Sequence, residues 1–434
     1  MTLGRWIGAW LLLLGSTGLA AAPRWGCDLS IVPRLEAHGA TFARADCTRS
    51  APEILRAAGV DVLRLRLWHS PSEPWHGIDS VLAFAARAQD LGYELLLDLH
   101  YSDTWADPAH QALPAAWESL NFAQLEDSVY RYTNNVMRRF RDAGVLPEAV
   151  QIGNEIGGGM LWNWGRIGGA FDTPTQWNQL TSLLDQGVRG VRDSLPPVSW
   201  PRIVMHHQEG GDADACIWFF DHLVGAGVVF DVIGLSYYPW WHGTINDLVN
   251  NVTALNARYG CSVQIVETAY PYTTGWCDSE PNIVGEDTPL LPAFPATPLG
   301  QAFYLGNLRD RLAAIPGLDD PLICLWEPAW IPTATFMSPW ENLALFDCAG
   351  DAQPALDVFP GLTPRGLTIA LAGNDLRLRW NDDANLYYQV FAYDAQSDAA
   401  PVLLGTTGEH EWILENEILT YDRRCYFLRG SVTP

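Results

Sequence analysis

Short apolar runs alternate with longer amphipathic segments along most of this chain. Eight runs have the length and near-continuous apolar character of strands buried in a parallel sheet; they occupy residues 26–30, 62–68, 94–100, 150–153, 203–206, 232–237, 263–266 and 322–326. Six intervening segments repeat apolar residues every three or four positions, as helices with one buried face do; they occupy residues 80–91, 125–143, 175–194, 217–224, 244–259 and 299–314. The pattern predicts strands and helices in regular alternation.

This alternation predicts an α/β protein built as a (β/α)8 TIM barrel over residues 23–360. Eight strand–helix units in about 330 residues fit that fold with a few insertions. A doubly wound open sheet is the alternative, but its glycine-rich phosphate loop, GxGxxG, does not follow the first predicted strand. We therefore expect the barrel, in which ligands bind at the carboxyl ends of the strands.

The pattern changes in residues 361–434, where apolar and polar residues alternate in short segments. Residues 376–380, 388–393 and 424–428 have the two-residue period of strands, and residues 411–418 carry a weak helical pattern. We predict a small β-sandwich-like C-terminal domain, weakly similar to the fibronectin type III-like tails of exported bacterial enzymes.

Residues 1–22 have the composition of a signal peptide. Arg5 precedes an apolar run at residues 6–14, and small residues follow, so cleavage is expected after Ala20 or Ala22. The protein is therefore predicted to be secreted or periplasmic. Its eight cysteines favour some disulfides without fixing their pairing, and none has the spacing of a zinc site.

Composition excludes several classes of function. All 26 basic residues are arginine, so enzymes that need a reactive lysine, such as Schiff-base aldolases and pyridoxal-phosphate enzymes, are ruled out. The net charge of −24 argues against nucleic-acid binding. We expect a monomer with no membrane span and no cofactor. The 20 tryptophans either pack the core or stack on flat ligand faces such as sugar rings.

Two carboxylates follow predicted strands at the expected site. Glu155 comes just after the fourth strand, preceded by Asn154, and Glu267 comes at the end of the seventh. A facing pair of this kind is what glycoside hydrolysis needs, with retention or inversion decided by the carboxyl separation, which the sequence does not give. Arg64, in the second strand, could hold one carboxylate ionised.

Other strand ends supply groups suited to sugar recognition. They are His100, Asp103, Trp105 and Asp107 after the third strand, Tyr238, Trp241 and His242 after the sixth, and Trp326 at the eighth. The alternative for the third-strand loop is a turn held by its own side-chain hydrogen bonds. Four acidic residues after the seventh strand could hold a structural calcium, although a solvated loop is favoured: Asp278, Glu280, Glu286 and Asp287.

Several sequence stretches together resemble glycoside hydrolase family 53, the endo-β-1,4-galactanases. They are GCDLS at 26–30, LRLRLW at 63–68, HYSDTWADP at 100–108, QIGNEI at 151–156, GGMLW at 158–162, DVIGLSYYP at 231–239, WHG at 241–243, VETAYP at 266–271, WEPAW at 326–330 and WENLALFD at 340–347. Two departures stand out: Cys27 replaces the family's usual alanine, and the loop at 275–287 matches no family pattern, which leaves any family calcium site in doubt.

The resemblance implies a role for each matched residue. Glu155 would be the acid/base and Glu267 the nucleophile, with Arg64 and Tyr238 supporting Glu267. Asn154 would contact the sugar 2-hydroxyl, and the remaining strand-end residues would line the cleft. The implied substrate is β-1,4-galactan, including the arabinogalactan type I side chains of pectin, cleaved internally with retention. Two alternatives remain: the same chemistry on β-mannan or β-glucan, and a non-catalytic carbohydrate-binding barrel, against which both carboxylates argue.

Overall fold

The computed structural model describes residues 23–44, 47–359, 368–372, 375–380, 387–393, 402–407, 409, 411–414 and 425–431. Eight parallel strands close into a barrel in the order β1-β8-β7-β6-β5-β4-β3-β2. They are β1 Arg24–Asp28, β2 Val62–Leu67, β3 Glu94–Leu99, β4 Ala149–Ile152, β5 Arg202–His207, β6 Val232–Tyr237, β7 Ser262–Thr268 and β8 Leu322–Trp326. The predicted barrel is confirmed, with each strand within about two residues of its predicted bounds.

The inner face of the barrel changes from apolar to polar along the strands. Seven strands contribute one side chain each to a buried apolar layer inside the barrel, namely Val62, Leu96, Ala149, Val204, Val232, Val266 and Leu322. On β1 the corresponding position is Gly26, where a Cβ would lie 3.2 Å from the Val62 carbonyl oxygen. Two residues further along, the inward positions of β2 and β3 carry Arg64 and Asp98. The polar face therefore begins just below the carboxyl ends of the strands.

Helices follow the strands around the barrel. They are α1 Val32–Ala37, α2 Ala51–Ala58, α3 Ile78–Asp90, α4 Phe122–Asp142, α5 Pro174–Asp193, α6 Ala213–Gly225, α7 Pro239–His242, α8 Ile245–Tyr259 and α9 Pro298–Ala313. Several begin at a side chain that accepts a backbone N–H, as Asn121 does for α4 and Thr244 for α8. No helix in the described part of the chain is long and apolar enough to cross a bilayer.

Two small hairpins and one disulfide complete the barrel region. The hairpins pair Phe42–Arg44 with Cys47–Arg49 and Gly159–Met160 with Gly165–Arg166. The disulfide joins Cys277, in the segment after β7, to Cys348, in the segment after β8. The segments that carry the carboxyl-end face of the barrel are thus fixed to one another by a covalent bond.

The C-terminal region contains two antiparallel three-stranded sheets. The strands are β9 Thr368–Ala372, β10 Asp375–Arg379, β11 Tyr387–Tyr393, β12 Val402–Thr407, β13 Glu411–Leu414 and β14 Cys425–Ser431, with orders β9-β10-β13 and β12-β11-β14. Leu378, Trp380 and Val390 share one buried cluster drawn from both sheets. The helix predicted at 411–418 is wrong over 411–414, because Trp412 and Leu414 turn to this cluster with strand periodicity. Residues 415–418 and the predicted signal peptide, residues 1–22, lie outside the described residues.

Candidate active site

Glu155 and Glu267 both stand at the carboxyl ends of barrel strands. Glu267 lies within β7, whereas Glu155 follows β4 by three residues and adopts a left-handed backbone conformation with φ 49°. Gly153 makes this turn possible, since at its φ of 82° a Cβ would lie 2.6 Å from the Ile156 side chain. Strained non-glycine residues concentrate at functional sites. The backbone here is bent to bring Glu155 over the barrel mouth.

Glu267 is a buried carboxylate held by two donors. Arg64 Nη1 lies 2.9 Å from its Oε1, and the Tyr238 hydroxyl donates to its Oε2 at 3.1 Å. Burial raises the pKa of Glu267 to about 7, and the Arg64 charge opposes that rise. The carboxylate is oriented and partly compensated, as an attacking group needs to be.

Arg64 ties together four strands beneath this carboxylate. Its guanidinium, about 1% exposed, also reaches acceptors on β1, β3 and the β4 end, namely Asp28 at 2.9 Å, Asp98 at 2.8 Å, Gln151 at 3.4 Å and Asn154 at 2.7 Å. Burial alone would lower the pKa of Arg64, but the carboxylates around it raise that pKa instead. Arg64 therefore remains a cation, and it fixes the position of Glu267 relative to Asn154.

Glu155 has a different environment, because among the described residues no arginine or histidine forms an ion pair with it. The Ser236 hydroxyl donates to its Oε1 at 2.7 Å. Burial raises the pKa of Glu155 well above the ordinary value, and the charge of Glu267 raises it further. Of the two carboxyls, Glu155 is the one that retains a proton, because Arg64 favours the charged form of Glu267.

A neutral histidine completes a ring of hydrogen bonds around Glu155. His206 is fully buried, and burial followed by the Arg64 charge lowers its pKa well below the ordinary value. Its Nδ1 accepts from the Glu155 backbone N–H at 3.2 Å, which leaves the proton on Nε2, 2.9 Å from Ser236 Oγ. Ser236 is thereby oriented to donate to Glu155.

Asn154 is locked beside the two carboxylates. Its Oδ1 accepts from Arg64, and its Nδ2 donates to the Ala106 carbonyl at 2.8 Å. Gln111 donates to the Asn154 carbonyl at 2.8 Å. His100 Nε2 donates to Asp98 at 2.9 Å while its Nδ1 accepts from the Ala106 N–H at 3.2 Å, so the third-strand loop is fixed against the same network.

A group of aromatic rings stands on the β2 and β8 side of the site. Trp326 lies 5.8 Å from Trp105 and 4.5 Å from Trp340, measured between ring centroids. Beneath them Arg66 stacks 4.3 Å from the Trp105 ring and pairs with Glu327 at 2.6 Å. Trp105 and Trp326 are half-buried and Trp340 is buried beside Trp326, so the first two rings offer a floor suited to the face of a sugar.

Of the remaining predicted site residues, two lie at the barrel mouth after β6 and two hold the loop after β3. Trp241 is exposed at the mouth, and His242 Nδ1 accepts from the Tyr238 N–H at 3.0 Å. Asp103 instead accepts from the Ser70 and Ala115 backbone N–H groups, both at 2.9 Å. Asp107 likewise accepts from the N–H groups of its own turn. Both aspartates hold the third-strand loop, as the alternative interpretation expected, and a contact from either to substrate stays a prediction.

The acidic loop after β7 is held by contacts of its own. Asp278 accepts from the Glu280 N–H at 2.7 Å and from the Ser338 N–H at 2.8 Å. In the described part of the chain, Cys277, Glu341 and Cys348 bring potential metal-ligand atoms together, and the two sulfurs are joined in the disulfide. A calcium ion on the four acidic residues stays an untested expectation.

Sequence reasoning missed several residues that shape the site. Ser236 precedes Tyr237 on β6 and points into the barrel. The two-residue period of the strand predicts that orientation. His206 lies at the end of an apolar strand, and its role next to Glu155 follows only from the three-dimensional contact between β5 and the end of β4. Gln111 lies far in sequence from the group it contacts, so the sequence carries no signal for it. Glu327 directly follows the eighth predicted strand, but its pairing with Arg66 on β2 follows only from the three-dimensional structure.

Comparison with known proteins agrees with this geometry. The profile described as Glycosyl hydrolase family 53 matches residues 24–359. An arabinogalactan endo-beta-1,4-galactanase of Cellvibrio japonicus is 34% identical, covering 80% of this chain and 94% of the relative. Arabinogalactan endo-beta-1,4-galactanase A of Emericella nidulans is also 34% identical, covering 76% and 91%.

Solved structures give the same result. The Ignisphaera aggregans GH53 catalytic domain superimposes with a TM-score of 0.71 at 35% identity, covering 80% of this chain and 97% of that one. A structure from a study of two fungal beta-1,4-galactanases gives a TM-score of 0.68 at 30% identity, covering 78% and 99%. Because the profile spans the whole barrel and these relatives are matched over nearly their full length, the chain belongs to glycosyl hydrolase family 53.

Proposed function

We propose that this protein is an exported endo-β-1,4-galactanase that cleaves galactan and arabinogalactan type I side chains of pectin with retention of anomeric configuration. The observation that carries the proposal is the contrast between two buried carboxyls: Glu267 is paired with Arg64, and Glu155 is bonded to the neutral Ser236. The names of the relatives support galactan as the substrate.

The first step forms a covalent intermediate. The Glu267 carboxylate attacks the anomeric carbon, and the bond from that carbon to the glycosidic oxygen breaks. Glu155 gives its proton to the departing oxygen, so the leaving part of the chain departs as an alcohol. Arg64 and the Tyr238 hydroxyl keep Glu267 ionised and oriented before attack.

The second step reverses the roles. Once Glu267 is esterified, its charge no longer raises the pKa of Glu155, which then becomes a carboxylate. Glu155 removes a proton from water, the hydroxyl oxygen attacks the anomeric carbon, and Glu267 leaves as a carboxylate. Two displacements on one carbon restore the original configuration.

The test is release of reducing ends from linear β-1,4-galactan, β-mannan and β-glucan. Wild type is expected to act on galactan, and Glu267→Gln is expected to lose at least about 1,000-fold in kcat, because the amide cannot act as the nucleophile. Glu94→Gln, which replaces an exposed carboxylate at the amino end of β3, opposite the site, is the matched control and should retain activity.

The outcomes separate the parts of the proposal. Full activity in Glu267→Gln would refute the assigned nucleophile, and rapid release from mannan or glucan would refute the substrate. Proton NMR of the first product shows its anomeric configuration, and an α product would refute retention. Amino-terminal sequencing of the exported protein should place its start just after Ala20 or Ala22.

A further inference from the structure

Arg66 is the second buried arginine of β2, and neither displacement described above uses it. It follows Arg64 by two residues, so the two-residue period of the strand points both side chains into the barrel. The Arg66 side chain is 1% exposed, and its Nε and Nη2 nitrogens have no hydrogen-bond partner among the described residues. What Arg66 offers its surroundings is therefore a buried positive charge and the flat face of a guanidinium.

Glu327 supplies the nearest charge that balances Arg66. Its Oε1 lies 2.6 Å from Arg66 Nη1, and its two oxygens accept the Ile31 backbone N–H at 3.1 and 3.2 Å. Glu327 is fully buried and has a φ of 46°, a left-handed conformation that residues with a side chain rarely adopt. The turn after β8 and the segment after β1 thus fix this carboxylate, and the carboxylate fixes the Arg66 guanidinium.

Asp28 joins this ion pair to the catalytic network. Its Oδ2 accepts from Arg64 at 2.9 Å, whereas its Oδ1 lies 3.7 Å from Arg66 Nη1. The Ser30 hydroxyl donates to the same Oδ1 at 2.6 Å and accepts the Arg66 backbone N–H at 2.9 Å. Because Asp28 is committed to Arg64 and Ser30, Glu327 is the partner that determines where the Arg66 guanidinium lies.

The flat face of Arg66 supports the indole of Trp105. The guanidinium carbon lies 4.3 Å from the centre of the Trp105 ring and 5.7 Å from that of Trp326. The contacts of Trp105 with Trp68 at 5.3 Å and with Trp326 at 5.8 Å are edge-on or tilted, so they leave a face of the ring to Arg66. A desolvated cation on the face of a tryptophan is strongly attracted to it. The Arg66 contact therefore sets the tilt of the Trp105 ring.

We propose that Arg66 and Glu327 are positioning residues, a buried ion pair that holds Trp105 in the orientation that meets the glycan and so sets affinity without touching substrate. The proposal rests on the galactanase function proposed above. A ring that contacts the bound chain equally before and during bond cleavage contributes uniform binding, so loss of the ion pair should raise KM and leave kcat nearly unchanged. An ion pair that only stabilised the fold would act differently, because a partly unfolded enzyme has a lower kcat and an unchanged KM.

The experiment measures kcat and KM on linear β-1,4-galactan for wild type, Arg66→Met/Glu327→Gln, Trp105→Ala and the triple variant. Replacing both members of the ion pair leaves neither charge buried alone, and glutamine keeps an oxygen for the Ile31 N–H. In the double variant KM is expected to rise about 10-fold, with kcat within about twofold of wild type. In the Trp105→Ala background the same two substitutions should raise KM no further, because the ring through which they act is gone.

The matched control is Arg258→Met/Asp221→Asn, which removes a half-exposed ion pair between α8 and α6. Arg258 lies in the last turn of α8, just before the amino end of β7 and away from the barrel mouth. This double variant should leave kcat and KM as they are in wild type.

An unchanged KM in folded Arg66→Met/Glu327→Gln would overturn the proposal. A fall in kcat at constant KM would also overturn it, as would an equal further rise in KM in the Trp105→Ala background. If the double variant does not fold, Glu327→Gln alone decides: Arg66 then has Asp28 as its remaining carboxylate partner, KM is expected to rise, and an unchanged KM would overturn the proposal. A wild type inactive on galactan would instead refute the proposed function.

Discussion

At the scale of single residues, Ser236 controls the proton on Glu155. Its hydroxyl donates to the carboxyl and so favours the charged form, which lowers the pKa of Glu155 against the larger upward effects of burial and Glu267. In Ser236→Ala that pKa rises, and the alkaline limb of kcat/KM moves to higher pH, because activity is lost as Glu155 gives up its proton. Loss of one charge-assisted hydrogen bond should also slow deglycosylation by about 10-fold.

The measurement is the pH dependence of kcat/KM and kcat on galactan. Ser262→Ala is the control, since its hydroxyl donates to the Asp319 carbonyl at 3.0 Å, at the amino end of β7 and away from the site. An alkaline limb that stays in place or moves to lower pH in Ser236→Ala would contradict the assigned direction.

The sequence predicted the residues of the site better than their contacts. Glu155, Glu267 and Arg64 could be selected because each lies on or just after an apolar strand, where a barrel places its ligand groups. The left-handed turn at Glu155 and the ring through His206 could not be selected, because they depend on contacts between β4, β5 and β6. Asp103 lies in a motif typical of the family, yet its hydrogen bonds to the Ser70 and Ala115 N–H groups hold the loop after β3 in place.

At the scale of elements, long periodic segments were predictable and short ones were not. The strands and the six long helices carry enough residues for their period to be read. Helix α1 has six residues, too few to show a period, and α7 follows directly from the end of β6. The strand Glu411–Leu414 forms because it pairs with β10. That pairing cannot be predicted from the pattern of residues within the segment itself.

The disulfide between Cys277 and Cys348 is expected to stabilise the barrel mouth. It closes a loop with a sequence separation of 71, and chain-entropy arguments assign such a crosslink at most about 4 kcal/mol. Reductant should therefore lower the urea unfolding midpoint of wild type, and Cys277→Ala/Cys348→Ala should match reduced wild type.

Cys47→Ser is the control for that measurement, since Cys47 is exposed and free. It should unfold like wild type and keep the same sensitivity to reductant. Equal midpoints for wild type with and without reductant would show that the crosslink contributes no stability, as would a double variant as stable as the oxidised protein.

At the scale of the whole molecule, charge is the dominant compositional feature. The sequence has 50 acidic and 26 basic residues, so even if every arginine paired with one carboxylate, 50 − 26 = 24 carboxylates would remain without a cation. Exposed arginine pairs such as Arg131 with Asp127 contribute little and weaken in salt. Repulsion among the surplus carboxylates acts over the whole surface and also weakens in salt.

These two effects of salt have opposite signs, and the surplus of carboxylates decides between them. Raising sodium chloride from 10 to 150 mM shortens the screening length from about 30 Å to about 8 Å, so at pH 7 the thermal midpoint is expected to rise by about 2 °C or more. Near pH 5, close to the sequence pI of 4.6, the repulsion is small and the same salt should have little effect or lower the midpoint. Calorimetry at both pH values makes the comparison, with sucrose at matched osmolality as the control for non-ionic effects. A midpoint that falls with salt at pH 7 would mean that attractive pairs outweigh the surplus charge.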